Sequence, residues 1–351
     1  MFEVSRDKVL SATTLAAISA GGTSGLGLLV SHVAFATLIF SGALAPHSSQ
    51  GIGFILFGCF SGCLILALVG GFRGAIAGLS PALVIAMMDI GATMEVAEEA
   101  RLVTTVVALA IGASVTGALC YLVGKYRLTQ LVRFIPFPVA SGFVGGIGGV
   151  VCLTAIGIAG VDLNWRSVPR LFDADVLVQW VPGIAYGLAL YITLKRWRNA
   201  LILPISVALF VGAYHVVLTT LGISDNEVRD MGLLYASTVS GNLWPPVMPA
   251  ELLMTDWSAI LVQIPNLLAL ALVALICIVM ALSGLEVALN EDLNWDREFQ
   301  AAGAASTFGG LGGGTFICMI VPASFRSKQF GATSRFTGVV CALIIGGALF
   351  F

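Results

Sequence analysis

The sequence predicts an all-α membrane protein of about eleven transmembrane spans, from its composition, the placement of its charges and two apolar segments broken by glycines. Of the 351 residues, 58% are hydrophobic and 10% are charged, whereas a soluble domain carries about 25% charged residues. This composition excludes a soluble globular protein. The net charge of −2 shows no basic excess, which excludes nucleic acid as a partner.

Apolar stretches of about 20 residues, the length that crosses a bilayer, predict the individual spans. Residues 1–24 are predicted as a cytoplasmic N-terminal region whose residues 9–21 form a lead-in helix at the membrane interface. The transmembrane domain is expected to cover 25–351. Its eleven spans are predicted at 25–43, 51–71, 76–93, 102–124, 138–160, 177–194, 199–221, 258–285, 299–313, 315–330 and 336–351.

The basic residues test this count independently. When the N-terminus is placed in the cytoplasm and the spans alternate in direction, 13 Lys and Arg residues fall on the cytoplasmic side and four fall outside. Such a bias follows the positive-inside rule, and a miscounted span would scramble it. We therefore expect an integral multi-pass protein of the plasma (inner) membrane with a cytoplasmic N-terminus.

Two spans are broken by glycines in the same way. One runs from Gly70 to Ser80-Pro81-Ala82, and the other runs from Gly309 to Pro322-Ala323-Ser324. Glycines disfavour a continuous helix, and proline suits the first helical turn, so each segment predicts extended backbone followed by a half-helix. Paired broken spans are typical of a transporter's binding site. The alternative is two ordinary glycine-rich membrane helices.

The positions of the broken spans predict two inverted repeats, at about 25–221 and about 258–351. The first broken span has two spans before it and four after it, whereas the second has two before it and one after it. For inverted repeats of seven spans, about three are missing. We therefore expect the chain to be a fragment or a truncated gene product.

Glu286 is the sequence's first candidate for ion coupling. It ends the uncharged run 257–285, and a carboxylate within a span is a functional hypothesis because burying its charge is costly. Asn290 follows one helical turn later, on the same predicted face. The alternative is that Glu286 lies at the cytoplasmic interface, solvated together with Glu291 and Asp292.

Two further residues are candidates for the site. His32 lies in the middle of the first span, where it could titrate or serve as a hydrogen-bonded structural histidine. Arg326 lies one turn after Pro322, and it points either into the site or out to the cytoplasm beside Lys328.

Four stretches of the chain resemble the SulP (sulfate permease) anion transporter family, in the same order and at similar spacing. The resemblance runs from about residue 20 to the end. The stretches are 78–82 (GLSPA), 134–143 (FIPFPVASGF), 284–286 (GLE) with 296–303 (DREFQAAG), and 331–338 (GATSRFTG).

This resemblance implies seven-plus-seven inverted repeats, a core domain that moves against a gate domain, and a substrate between the half-helices of the third and tenth spans. A cytoplasmic STAS domain usually follows in the family and does not lie within these residues. One departure concerns the substrate: many members have Ser-Arg-Ser where this chain has Pro322-Ala323-Ser324. The missing arginine argues against sulfate and other divalent anions.

The sequence thus predicts a secondary transporter of a small inorganic anion or carboxylate. Half-helix N-termini bind anions through their dipoles and free N–H groups. Glu286 and Asn290 are expected to couple H⁺ or Na⁺, with no other cofactor and no metal site. The substrate-binding residues are predicted to be Ser80, Pro81, Ala82 and Leu83, with Pro322, Ala323 and Ser324; the hydroxyls of Ser80 and Ser324 act as donors.

Two other functions stay open: a nucleobase carrier of the same architecture, and a membrane sensor or scaffold that does not transport. An enzyme is not expected, because the sequence contains no recognisable nucleophile–base pair or metal cluster. The predicted partners are the anion and the lipid bilayer, and a homodimer is left open.

Overall fold

The computed structural model describes residues 6–132, 172–197, 202–220 and 243–350, with isolated positions between these ranges. The predicted span 138–160 and the stretch 134–143 therefore lie mostly outside the described residues. The helices are α1 (Arg6–Ile39), α2 (Ser48–Val69), α3 (Pro81–Ala92), α4 (Glu98–Lys125), α5 (Thr129–Val132), α6 (Ala174–Arg196), α7 (Ile202–Thr220), α8 (Trp257–Val262), α9 (Ile264–Leu289), α10 (Trp295–Leu311), α11 (Val321–Gln329) and α12 (Phe336–Phe350). Two short strands are β1 (Ala77–Gly78) and β2 (Cys318–Met319).

Length and composition allow four stretches of the described residues to cross a membrane. They are Thr13–Ile39, Gly42–Val69, Glu98–Lys125 and Ile264–Leu289. The half-helix α3, the stretch Ala208–Thr220 and α12 are shorter apolar helices. A multi-pass membrane protein is the architecture that these helices support.

The structure corrects the predicted start of the first span. A lead-in helix over 9–21 was predicted as separate from the first span, but α1 runs unbroken from Arg6 to Ile39 and includes Gly21 and Gly25. A Cβ on Gly21 would lie 2.9 Å from Val340 Cβ, and one on Gly25 would lie 3.1 Å from Ile344 Cβ. These glycines therefore bring α1 close to α12, as small residues do between membrane helices, and they do not end a helix.

Both predicted breaks are present. The chain is extended before each half-helix, and α3 begins at Pro81 while α11 begins at Val321 with Pro322 in its first turn. The two extended segments pair as an antiparallel ladder, with Ala77 opposite Met319 and Gly78 opposite Cys318. In each repeat, two long helices therefore precede a strand and half-helix: α1 and α2 in the first repeat, and α9 and α10 in the second.

The chain divides into two compact units. One unit combines residues 1–141 with 239–351 and contains both broken segments, and the other spans 142–238. Within the second unit, α6 and α7 pack through Tyr186, whose ring stacks on Phe210 with centroids 4.5 Å apart. The Tyr186 hydroxyl also lies 3.1 Å from Ser206 Oγ.

Helices α4 and α10 make backbone contact along a shared face of small residues. A Cβ on Gly303 would meet the Tyr121 nitrogen and lie 2.6 Å from the Gly117 oxygen. Two turns further along α10, and two turns earlier along α4, a Cβ on Gly310 would lie 2.6 Å from the Ala110 oxygen. Such contact leaves no room for side chains and fixes α10, which leads into the second broken segment, against the first repeat.

Candidate functional site

The paired strands bring the starts of the two half-helices together. The ladder continues past β2, since the Ile320 N–H donates to the Ile76 carbonyl at 2.9 Å. Because the strands are antiparallel, the chain leaves the ladder in opposite directions, into α3 at one end and into α11 at the other. The positive N-terminal ends of both helices therefore lie at one small backbone platform.

Ser324 connects the two repeats, which differs from its predicted role. Its side chain is fully buried. Its hydroxyl accepts the Ile76 N–H at 3.0 Å and donates to the Ile76 carbonyl, with an oxygen–oxygen distance of 3.3 Å. A hydroxyl has only one proton to donate, so in this structure the Ser324 hydroxyl is used within the protein and is not available to an anion.

His32 is a structural histidine. Its side chain is 1% exposed, Nδ1 lies 2.7 Å from the Leu28 carbonyl, and Nε2 lies 2.8 Å from the Leu79 nitrogen. The neutral imidazole with its proton on Nδ1 satisfies both contacts, because Nε2 then accepts the Leu79 N–H. A Cβ on Gly78 would lie 2.9 Å from Nε2, so glycine there lets the ring reach the strand.

Helix α9 passes both half-helix starts, which the sequence analysis did not predict. The Cys277 thiol donates to the Ser80 hydroxyl at 3.4 Å. Two turns later, a Cβ on Gly284 would contact the Val321 side chain at 3.9 Å. The seven-residue spacing of Cys277 and Gly284 puts them on one face, but a lone cysteine and a lone glycine gave no separate signal in the sequence.

The first turns of α3 and α11 retain fewer donors than predicted. The Leu83 N–H donates to the Ser80 carbonyl at 2.9 Å, and the Ser324 N–H donates to the Ile320 carbonyl at 3.0 Å. Ala82 and Ala323 precede these residues, where a helix has no internal partner for its N–H groups. Neither helix has an acidic residue in its first turn, and the side chains of Pro81 and Pro322 are exposed.

Arg326 folds back toward the N-terminus of α11. Its Nε donates to the Pro322 carbonyl at 3.1 Å, and the side chain is partly buried. This contact places the start of the guanidinium beside the first turn of the half-helix, one turn before its own Cα. The Lys328 side chain does not bond to the first turn of α11 in this way; it forms an ion pair with Glu291.

Glu286 anchors the turn that follows α9. Its Oε1 accepts the Leu293 N–H at 2.9 Å and the Trp295 indole N–H at 2.8 Å. Asn290 lies just beyond the last helical residue, with a left-handed φ of 53°, so the helical face predicted for the two residues does not extend to it. Their ion-coupling role stays a prediction, while the contacts of Glu286 are those of a structural anchor.

Comparison with known proteins identifies the family. A family model described as the Sulfate permease family matches residues 12–351. The chain belongs to this family. The resemblance seen in the four sequence stretches is thereby confirmed.

A yeast protein resembles the chain in sequence. It is the vacuolar basic amino acid transporter VSB1 of Saccharomyces cerevisiae, 27% identical over 257 residues. The match covers 69% of this chain and 25% of the yeast protein. The chain thus spans about a quarter of the length of this relative.

Solved structures share the fold of the chain. The transmembrane domain of the cyanobacterial bicarbonate transporter BicA has a TM-score of 0.68 and 16% identity, covering 95% of this chain and 81% of that one. SLC26A9 has a TM-score of 0.68 and 15% identity, covering 96% and 53%. Murine Slc26a9, titled an anion transporter in the inward-facing state, has a TM-score of 0.69 and 14% identity, covering 95% and 56%. At these identities the likeness establishes the inverted-repeat fold alone.

Proposed function

We propose that this sulfate permease family chain carries a small anion across a membrane by secondary active transport. The observation that supports this most is the meeting of two half-helix N-termini at one strand pair. Both ends are free of acidic residues in their first turns, so nothing there repels an anion. In this proposal the N–H groups of Ala82 and Ala323 and the Ser80 hydroxyl bind the substrate.

In this proposal Arg326 supplies the positive charge for the anion, because position 323 is alanine where many family members have arginine. Its Nε already bonds to the first turn of α11, and a modest movement of the flexible guanidinium would bring it to an anion there. Each helix end contributes about 0.3–1 kcal/mol when exposed. With one arginine these terms are consistent with millimolar affinity for a monovalent anion, about −4 kcal/mol. A dianion loses more hydration, so we expect bicarbonate, chloride or nitrate to be preferred over sulfate.

A basic amino acid is the second candidate substrate, because the yeast relative bears that name. The absence of an arginine at position 323 would suit a cationic substrate. However, a cationic side chain needs an acidic partner in the site, and the first turns of α3 and α11 provide none. The arrangement of charges therefore favours the anion. The described residues near the two half-helices offer few polar side chains that could read a nucleobase ring.

Competition between sulfate and a monovalent anion tests the site. In proteoliposomes containing the full chain, we expect nitrate to inhibit bicarbonate uptake more strongly than sulfate does. Arg326→Ala should weaken inhibition by both anions about tenfold, equal to about 1.4 kcal/mol. Lys328→Ala is the matched control, because Lys328 lies on the same helix and is paired with Glu291; its effect should be small. Strong sulfate preference that survives Arg326→Ala would refute the monovalent site.

We further propose that transport couples to H⁺ or Na⁺, with a core alternating against a gate and the N-terminus in the cytoplasm of a plasma (inner) membrane. Thirteen basic residues on the predicted cytoplasmic side support this orientation. A homodimer is the assembly we expect, and cross-linking in intact membranes measures it. Labelling of an N-terminal tag only after permeabilisation would support the orientation.

A further inference from the structure

The end of α2 and the residues that follow it form a junction between the repeats, which we call the α2 end segment (68–72). Five consecutive backbone groups of this segment bond to side chains of the second repeat. Arg335 donates to the Leu68 and Gly70 carbonyls, Arg297 donates to the Val69 carbonyl, and Glu298 accepts the N–H groups of Gly71 and Phe72. The segment precedes β1 and the first half-helix in the chain. A change in these hydrogen bonds therefore acts on the backbone that enters the first broken segment.

Glu298 is the buried member of this junction. Its side chain is 2% exposed. Its Oε1 accepts the Gly71 N–H at 2.8 Å and the Phe72 N–H at 2.7 Å. Its Oε2 is buried and has no hydrogen-bond partner among the described residues. The two oxygens of this carboxyl group therefore have different environments. Oε1 accepts two hydrogen bonds, and Oε2 accepts none from the described residues.

A small cavity adjoins Glu298. Apart from Glu298 it is lined by apolar side chains of three helices and of β2: Leu66, Ile278, Ala281, Leu282, Ala302 and Met319. Its volume of about 10 Å³ corresponds to about one water molecule. No lining side chain can bond to Oε2, and a cation such as Na⁺ would find no further oxygen ligand among them.

We propose that Glu298 binds the coupling proton, on Oε2, and that this junction is the coupling site of the transporter. An ionised carboxylate with one bare oxygen in an apolar cavity is costly, and the neutral acid is less so. Binding forms one O–H bond, breaks no other bond and moves no electrons, and it removes one negative charge. The inference rests on the proposed transport function and assigns its coupling ion.

The position of Glu298 explains how a proton could be sensed at the substrate site. Through Gly71 and Phe72 the carboxyl group is bonded to the segment that enters β1, and across the cavity it adjoins Met319 of β2. Protonation removes the negative charge of the carboxyl group that accepts both N–H groups. The two hydrogen bonds are then no longer charge-assisted and become weaker. One broken segment is therefore bonded to the group that titrates, and the other lines the same cavity.

A neighbouring positive charge opposes the protonation of Glu298. Arg297 is adjacent in sequence and favours the ionised form of Glu298, and Arg335 is bonded to Gly70 in the same segment. The faces that α2, α9 and β2 present to the cavity are apolar. Removing Arg297 should therefore make Glu298 easier to protonate.

Infrared difference spectroscopy of the purified full chain, titrated from alkaline to acidic pH, tests the proposal without any substrate. We expect the C=O band of a protonated, poorly hydrated carboxylic acid to grow at acidic pH, to be absent in Glu298→Gln and to remain in Glu286→Gln. Gln keeps an oxygen that can accept the Gly71 and Phe72 N–H groups, so the variant should fold. A spectrum of Glu298→Gln identical to wild type at every pH would overturn the proposal.

Uptake as a function of pH is the second measurement. Wild-type uptake should fall about tenfold per pH unit once the carboxyl is ionised, and Glu298→Gln should reduce this dependence to less than about twofold. Glu298→Asp should keep the dependence at a lower rate, because it still titrates. If uptake still depends on pH in Glu298→Gln but no longer does so in Glu286→Gln, the coupling role belongs to Glu286 and the proposal is wrong. If the wild type transports no anion at all, the proposed function is wrong. The infrared measurement then still decides whether Glu298 binds a proton.

Discussion

Gly303→Val is expected to prevent stable folding, or to lower the unfolding free energy by at least about 3 kcal/mol. A Cβ at this position would overlap the Tyr121 backbone and lie 2.6 Å from the Gly117 oxygen. The obstacle is backbone, which cannot rotate away as a side chain can, so α4 and α10 would have to separate. Thermal unfolding of the purified protein in detergent measures the loss.

Gly347→Val is the matched control. Gly347 lies in helix α12, is exposed, and has no atom within 4 Å of the position that a Cβ would take. The same substitution there should leave the melting temperature within a degree or two of wild type, an effect within about 0.5 kcal/mol. Equal losses in the two variants would mean that α4 and α10 do not touch as described.

Ser324→Ala is expected to cost about 1–3 kcal/mol of stability, because the buried Ile76 N–H loses its acceptor. The Ile76 carbonyl keeps the Ile320 N–H as a donor. The loss falls on a side-chain contact that holds the start of α11 to the strand segment before α3. We therefore expect substrate affinity to fall along with stability. Thermal unfolding and anion competition on the same preparation measure the two effects.

Ser327→Ala separates this contact from the general effect of removing a buried serine. Ser327 is on the same helix and equally buried, but its hydroxyl donates to the Ala323 carbonyl of its own helix at 3.0 Å. Its removal should cost well under 1 kcal/mol, because such back-bonding stabilises a helix little. If both alanine variants lose the same stability, the cross-repeat role of Ser324 is wrong.

The sequence predicted the parts of the fold that depend on local patterns. Apolar stretches of membrane length located the helices, and glycines followed by Pro81 or Pro322 located the half-helix starts, because both signals act within a few residues. The sequence does not show in the same way what Gly21 and Gly25 do in α1. A glycine that admits a neighbouring helix and a glycine that ends a helix look alike until the neighbour, here α12, is known.

The site was less predictable because side chains choose partners that are distant in the chain. Ser324 bonds to Ile76, and His32 bonds to Leu79, so the side chains of both candidate residues contact the strand segments. Glu298 stands in a stretch that resembles the family, yet its environment depends on Gly71 and Phe72, more than 200 residues earlier. No spacing along the chain reveals such a contact.

Uptake of labelled nitrate, compared with labelled arginine, by proteoliposomes that contain the full chain tests the central claim most directly. The site of two half-helix N-termini with Arg326 predicts saturable nitrate uptake at millimolar concentrations, about −4 kcal/mol of binding, that excess arginine does not inhibit. Saturable arginine uptake with no uptake of nitrate or bicarbonate would contradict the anion site and favour a cationic substrate.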